Sequence, residues 1–272
     1  MIDTGNTLTT KDKWEAIWAG TKLPIIVRPV HDVHKQLESY LPKSNAHSLI
    51  EIGCAPGGWM AYFHSTFGYS VSGLEYAEVA AETTKRNMHM QAIDAEVLVQ
   101  DFFALDCDGN KYDIVFSRGF IEHFCDVSDV VERLCALSRQ YVVTIVPNCL
   151  GVNGMISKTI RPKVYAEHNP IEASTLDLLH RNCGMETLFC NYTGGVRFVS
   201  PGAHNAFFSK HKTCARAVNA PVHVFNRLSM EAGKLLCYTP RLRLLSDSLM
   251  YVGRKRESNA SSVAVKKETD PE

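Results

Sequence analysis

The sequence has no apolar run near the ~18 residues that a membrane-spanning helix requires, so no helical membrane span is expected. Its first residues, Met1-Ile2-Asp3-Thr4-Gly5, carry neither a basic nor an apolar region, so no secretory signal is expected either. Net charge is also missing: 29 Lys+Arg balance 29 Asp+Glu. A protein that coats nucleic acid needs a basic excess to displace counterions, and an acidic disordered chain needs the opposite excess. None of the nine cysteines stands in a C-x-x-C pair, and Cys54, Cys135, Cys149 and Cys190 lie in apolar runs. A free thiol in such a run behaves as a small hydrophobe, so neither a zinc site nor a disulfide framework is expected, and the reducing cytoplasm is the expected location. There is no internal repeat and no low-complexity block.

What remains is 272 residues, 45% hydrophobic and 21% charged, the composition of an ordinary globular chain with a sizeable core. After a loose stretch over 1–12, Trp14 and Trp18 mark one stripe of a short helix over Lys13–Ala19, and a second helix runs from His31 to Tyr40. Strand and helix then alternate. Strands are predicted at Ser48–Gly53, Tyr69–Tyr76, Ala95–Phe103, Tyr112–Phe120, Tyr141–Val146, Met185–Tyr192 and Leu249–Gly253. Helices are predicted at Pro56–Phe67, Ala77–Met90, after the N-cap Asp126, and at Ser174–Asn182. Short turns between alternating elements imply a doubly wound α/β fold, a parallel sheet with helices on both faces. One globular unit is expected over 13–253, with helices at 13–47 and a disordered polar tail at 254–272.

The segment Glu51-Ile52-Gly53-Cys54-Ala55-Pro56-Gly57-Gly58-Trp59 falls where the first strand turns into its helix. Open α/β sheets bind ligands at this edge, and glycines there let a ligand approach the backbone. Glu75 ends the second strand, where a carboxylate accepts both hydroxyl protons of a ribose. Asp101 ends the third beside Phe102 and Phe103, an acid and aromatics suited to an adenine. Three such features at successive strand ends describe an adenosine site. A nicotinamide dinucleotide requires G-x-G-x-x-G, but Ala55 stands at the second glycine and Pro56 removes an amide from the helix start. Glu51 beside that turn repels a diphosphate and suits an α-amino or sulfonium cation, which favours S-adenosylmethionine.

At these residues the chain resembles the class I S-adenosylmethionine-dependent methyltransferase superfamily, over Ser48 to Asn148. The segments that carry the resemblance are IEIGCAPGG, GLEY, VQDFF and DIVFSRGFIEH. It implies a Rossmann-like methyltransferase sheet with Gly53, Cys54 and Gly57 on the methionine side, joined by Ser117, Arg118 and Gly119. Glu75 would hold the ribose, with Tyr76 following it in the same motif, and Asp101 with Phe102 the adenine. APGG departs from the G-x-G of many members and leaves the shape of the loop open. APGGW also resembles ribosomal-RNA ribose methyltransferases of the heat-shock type, but Ser117-Arg118-Gly119 stands where those carry an aspartate.

Displacement at a sulfonium needs alignment and, for a hydroxyl acceptor, a base; it needs no metal, and no metal ligand set is assigned. His123, in Glu122-His123 after the fourth strand, is the first candidate base, with packing or a backbone bond as its structural alternative. His168, before the Ser174 helix, is the second, and Pro147, Asn148 and Asn153 share its connection as candidate acceptor contacts. His31-x-x-His34 has ligand spacing without a third ligand and reads as a solvated face. Trp14 and Trp18 read first as packing against the sheet and second as a lid.

Residues 197–246 interrupt the alternation with eight Lys/Arg against one acid, Glu231. Pro221–Cys237 forms an amphipathic helix with Val224, Phe225, Leu228, Leu235 and Leu236 on one face. This insertion either packs on the sheet edge, caps an acceptor pocket for an anionic substrate, or touches an anionic membrane peripherally. The expected activity is methyl transfer to a small molecule, with a sugar, glycan-precursor or natural-product hydroxyl as acceptor; the missing nucleic-acid domain, N-P-P-Y-like motif and long basic tail argue against nucleic acid as partner. The alternatives are an RNA methyltransferase, a NAD-dependent oxidoreductase and a non-catalytic nucleotide-binding module.

Overall fold

The computed structural model describes residues 6–27, 31–108, 111–200, 211–236, 238 and 240–256. Of the tail predicted over 254–272, Arg254 and Lys255 belong instead to the last strand; the part beyond 256 and the first five residues lie outside the described ones. The seven strands are β1 (Ser48–Ile52), β2 (Ser70–Glu75), β3 (Ala95–Val99), β4 (Tyr112–Arg118), β5 (Ser138–Pro147), β6 (Met185–Val196) and β7 (Ser246–Lys255). They form one sheet in the order β3-β2-β1-β4-β5-β7-β6. β1 pairs in parallel with both β2 and β4, so the strand order reverses between β1 and β4. Crevices at such a reversal open at the carboxyl ends of the strands.

Alternation along each strand builds two cores. Leu49, Phe116, Val143 and Met250 face one side, under α2 (His31–Tyr40), α3 (Gly58–Phe67) and α4 (Glu78–Met90). Ile50, Val115, Val142 and Leu249 face the other, under α5 (Val127–Leu137) and α8 (Ala173–Asn182). Asp126 caps α5, accepting from the amides of Ser128 and Asp129 at 3.0 and 3.2 Å. The doubly wound α/β fold and its helical insertion before the last strand are as expected.

Several details differ. β7 is antiparallel to both neighbours. β6 ends at Val196 beside Ser246, where β7 begins, so the chain returns along the same edge without a crossover. β3 stops at Val99 because Asp101 caps a 3-10 turn, η1 (Phe102–Ala104), accepting from the Phe103 amide at 2.8 Å. The connection after β5 contains two helices that the pattern did not predict, α6 (Val152–Ile160) and α7 (Pro162–Tyr165). Residues 6–9, expected as part of a loose stretch, lie against a second 3-10 turn, η2 (Ile121–His123). Thr7 bridges Phe124, and the Leu8 amide donates to the His123 carbonyl at 2.7 Å.

The insertion forms α9 (Lys212–Leu235), longer than predicted and running through Pro221. Its apolar face does not pack on the sheet: Leu228 is 64% and Leu235 85% exposed, and Val224, Phe225 and Leu236 are exposed too. Its basic surplus is in part paired, Arg197 with Asp247, Arg241 with Asp32, Arg243 with Glu172 and Lys234 with Glu231. Lys210 lies outside the described residues. His34 is likewise not solvated; it is buried between α2 and α3, its ring stacked on Trp59 and edge-on to Tyr62. The side chain of His31 lies outside what is described. No helix among the described residues is long and apolar enough to cross a membrane.

Candidate active site

A cavity opens at the strand-order reversal. It is lined by Gly53, Glu75, Tyr76, Asp101, Phe102, Arg118, Gly119 and His123 from the predicted set. Gly53 and Gly119 have φ of +71° and +67°, values that favour glycine, and a Cβ at Gly53 would stand 3.0 Å from the Phe120 ring. Bare backbone therefore faces the cavity at two successive strand ends. Glu75 is buried, and its Oε1 accepts from the amides of Tyr76 and Ala77 at 3.0 and 3.1 Å. Burial pushes its carboxyl up, and these amides oppose the shift. A carboxylate has about four lone-pair sites, so acceptor capacity remains for a diol. Gln100, Asp101, Phe102, Phe120 and Phe124 also line the cavity, and the Gln100 amide donates to the Glu75 carbonyl at 3.2 Å.

Four predicted cofactor residues do not line the cavity. Cys54 is buried beneath the turn, packed on Gly73, where a Cβ would stand 2.6 Å from its Sγ. Gly57 adopts φ +81° at the start of α3, and a Cβ there would meet Met88 and Thr84, so it shapes the turn from behind. Ser117 is buried, with its hydroxyl unpartnered. Glu51 is buried, and its Oε2 accepts from the Met60 amide at 3.1 Å. That bond sets a carboxyl at the N-terminal end of α3, where a dinucleotide's diphosphate would otherwise sit. Desolvation pushes the Glu51 carboxyl well up, against the Met60 amide.

Trp14 and Trp18 line the cavity rather than packing on the sheet. They project from α1 (Lys11–Trp18), a helix that buries no residue, so the stripe has the cavity as its partner. Trp14 stands edge-on to His123 with ring centroids 5.0 Å apart. Glu15 ties α1 to α4, accepting from the amides of Glu78 and Val79 at 2.7 Å each. Thr7 and Thr9 line the cavity with both tryptophans, the placement that the second expectation, a lid, requires and the first, packing on the sheet, does not.

The two candidate bases are brought together: the rings of His123 and His168 lie 4.6 Å apart. Nδ1 of His123 lies 2.9 Å from the Glu167 carbonyl and 2.9 Å from the Thr9 hydroxyl. A carbonyl only accepts, so Nδ1 carries the proton and Nε2 is left as the lone-pair nitrogen. His168 is wired alike, with Nδ1 2.7 Å from the Val164 carbonyl. Burial lowers the pKa of His123 to about 4 and that of His168 in the same direction. Glu122, 1% exposed, sets Oε1 3.8 Å from Nε2 of His123. Desolvation pushes its carboxyl up to about 8. Asn148 and Asn153 are not acceptor contacts: their amides bond the backbone of Arg243, Ser246, Arg197 and Val199.

Residues 49–140 match the family model described as a methyltransferase domain. The matched segment, about a third of the chain, is similar to a methyltransferase domain. Over 117 residues it is 23% identical to a ubiquinone biosynthesis O-methyltransferase of Coxiella burnetii, a match covering 42% of this chain and 49% of the relative. The match thus spans about half the length of the curated relatives. Geranyl diphosphate C-methyltransferase from Streptomyces coelicolor, solved with Mg2+, geranyl diphosphate and S-adenosylhomocysteine, shares the fold at 15% identity and TM-score 0.54, over 82% of this chain and 78% of that one. Phosphoethanolamine N-methyltransferase 2 of Haemonchus contortus, solved with phosphomonomethylethanolamine and S-adenosylhomocysteine, does so at 15% identity and TM-score 0.54, over 81% and 51%. Within the matched segment the donor set fits an adenosine carrying a cation: a buried acid for the ribose, aromatics and an acid for the base, and a helix start whose Met60 amide Glu51 already takes.

Proposed function

We propose that the protein transfers a methyl group from S-adenosylmethionine to a hydroxyl of a small molecule. The observation that carries this reading is Glu51 on the α3 amide beside a cavity with Glu75 at its ribose end. Glu51 takes the Met60 amide at the start of α3 that a diphosphate would use, whereas a methionine moiety brings an ammonium and a sulfonium and needs no such amide. Glu75 and Tyr76 hold the ribose end, Asp101 and Phe102 the adenine, and the backbone of Gly53 and Gly119 the methionine.

Bound S-adenosylmethionine supplies a methyl group on a sulfonium, which leaves as a neutral thioether. The chain aligns the two reactants, and Trp14 and Trp18 keep water from the mouth. His123 lines the cavity, and its Nε2, left unprotonated by the Nδ1 bond to Glu167, takes the hydroxyl proton, with the His168 ring 4.6 Å away. Arg118 at the cavity wall suits an anionic acceptor. The O-methyltransferase relative and the phosphate-bearing small molecules named with two fold neighbours support that acceptor class. The cytoplasm is the location we assign to this activity.

Calorimetry tests the reading. S-Adenosylhomocysteine is expected to bind and NADH not to bind; the reverse overturns the proposal. Glu75→Ala is expected to weaken S-adenosylhomocysteine binding by about 10- to 100-fold, the loss of hydrogen bonds to a charged group. Labelled S-adenosylmethionine offered to small-molecule and RNA fractions then identifies the acceptor; label in RNA alone would overturn the small-molecule assignment.

A further inference from the structure

Glu122, His123 and His168 each offer one donor atom, and the three atoms lie within 4.8 Å of one another. Two features of the trio go beyond proximity. Both imidazoles direct Nδ1–H at a backbone carbonyl, Glu167 for His123 and Val164 for His168. Such a bond fixes the tautomer with Nε2 as a lone-pair donor, the arrangement typical of metal-ligating histidines. Glu122 is 1% exposed, and its Oε2 has no hydrogen-bond partner. A buried carboxyl left unpaired is costly, and burial of ionised groups is normally relieved by pairing or by a metal. Lys13, the nearby cation of α1, is already paired with Glu167.

From this geometry we infer that Glu122, His123 and His168 bind one divalent first-row transition-metal ion. Two imidazoles and one carboxylate suit Zn2+, Mn2+, Fe2+ or Co2+ better than the oxygen-only preference of Ca2+. Donors bound at about 2.1 Å to a tetrahedral ion stand about 3.4 Å apart, so the trio, now within 4.8 Å, closes by up to roughly 1.4 Å on binding, a distance that side-chain rotation covers. The His123–Glu122 pair, 3.8 Å apart, closes by only a few tenths of an ångström. Three protein ligands leave an open position, and His123 lines the cavity, so that position is next to the acceptor's side of the site.

The ion's role rests on the methyl-transfer reading above; its binding does not. With the ion in place, Nε2 of His123 is a ligand and no longer a base. The acceptor hydroxyl binds the open position, where the metal lowers its pKa and its proton leaves to water. The resulting oxygen forms the C–O bond, the C–S bond breaks, and its electron pair stays on sulfur.

The test uses the full chain, freed of metal by a chelator. Zn2+ is titrated by calorimetry and Mn2+ by the loss of its free-ion EPR signal. One Zn2+ per chain is expected, and Glu122→Gln or His168→Asn is expected to lower its affinity at least about tenfold while S-adenosylhomocysteine still binds. Absence of stoichiometric binding of both ions by the parent protein overturns the inference, as does unchanged Zn2+ affinity in both variants. If a variant fails to bind S-adenosylhomocysteine and so fails as a control, the Co2+ spectrum of the parent protein decides. Intense d–d bands of a low-coordinate ion support the site, and the spectrum of the hydrated ion overturns it. Failure of the parent protein to bind S-adenosylhomocysteine would instead overturn the function proposed above.

Discussion

His168 and His180 are wired alike at one nitrogen, each donating Nδ1–H to the carbonyl four residues earlier, Val164 at 2.7 Å and Leu176 at 2.8 Å. They part at the other nitrogen. Nε2 of His180 meets the Thr144 hydroxyl at 3.1 Å, and its ring stacks on Tyr251 at 3.8 Å, under α8. The rings of His168 and His123 face each other, with a buried carboxyl oxygen left without a partner beside them. Identical local wiring thus yields a closed polar contact in the core and an open donor set at the cavity. A histidine's use is decided by what meets its second nitrogen.

Removing the open set should have the largest effect. His123→Ala is expected to lower kcat by about 10²- to 10⁴-fold, whether its imidazole takes the hydroxyl proton itself or holds the ion that acidifies the hydroxyl, measured with labelled S-adenosylmethionine and the identified acceptor. Unchanged kcat would place His123 with His180 as a packing residue. The closed set should act on stability instead. Burial lowers the pKa of His180 to about 4 from 6.5, so the unfolded chain binds its proton first as pH falls. The contribution is full above about pH 6.5 and is lost as pH drops toward 4, amounting to about 3 kcal/mol. Burial holds the carboxyls of Glu51, Glu75 and Glu122 up, which acts in the opposite direction over this range, so His180 is read as a difference: the stability of the parent minus that of His180→Gln should fall as pH drops from 6.5 toward 4. A difference that does not vary with pH would break the distinction. Trp18→Ala, at the mouth shared by neither histidine set, should raise the KM for S-adenosylmethionine only a few-fold, about 1 kcal/mol of lost contact, with kcat little altered. A large fall in kcat would make α1 part of the chemistry.

Much of this arrangement could be read from residue order. Alternation placed the strands, and Glu75 and Asp101 stood out as acids at strand ends that face the cavity. Direction at a tight turn could not be read: Cys54 looked like a ligand-side residue, yet Gly73 opposite it leaves room for its thiol below the turn. Asn148 and Asn153 looked like loop polar groups free for an acceptor, but the backbone ahead of β7 takes their amides. The α9 stripe announced its period and not its partner, since amphipathicity says which face is apolar and nothing about what covers it. The meeting of His168 with Glu122-His123 depends on a connection of more than forty residues folding back, which no local pattern encodes.

Glu15 gives the mouth of the cavity a further property. Four consecutive amides at the start of α4, from Tyr76 to Val79, are satisfied by two carboxyl groups, Glu75 from the floor and Glu15 from the tryptophan-bearing helix above. Any displacement of α1 from the cavity would therefore leave the Glu78 and Val79 amides without their acceptor. The cost of uncovering the tryptophan side of the cavity is thus set in part by Glu15, a carboxyl that lines none of it.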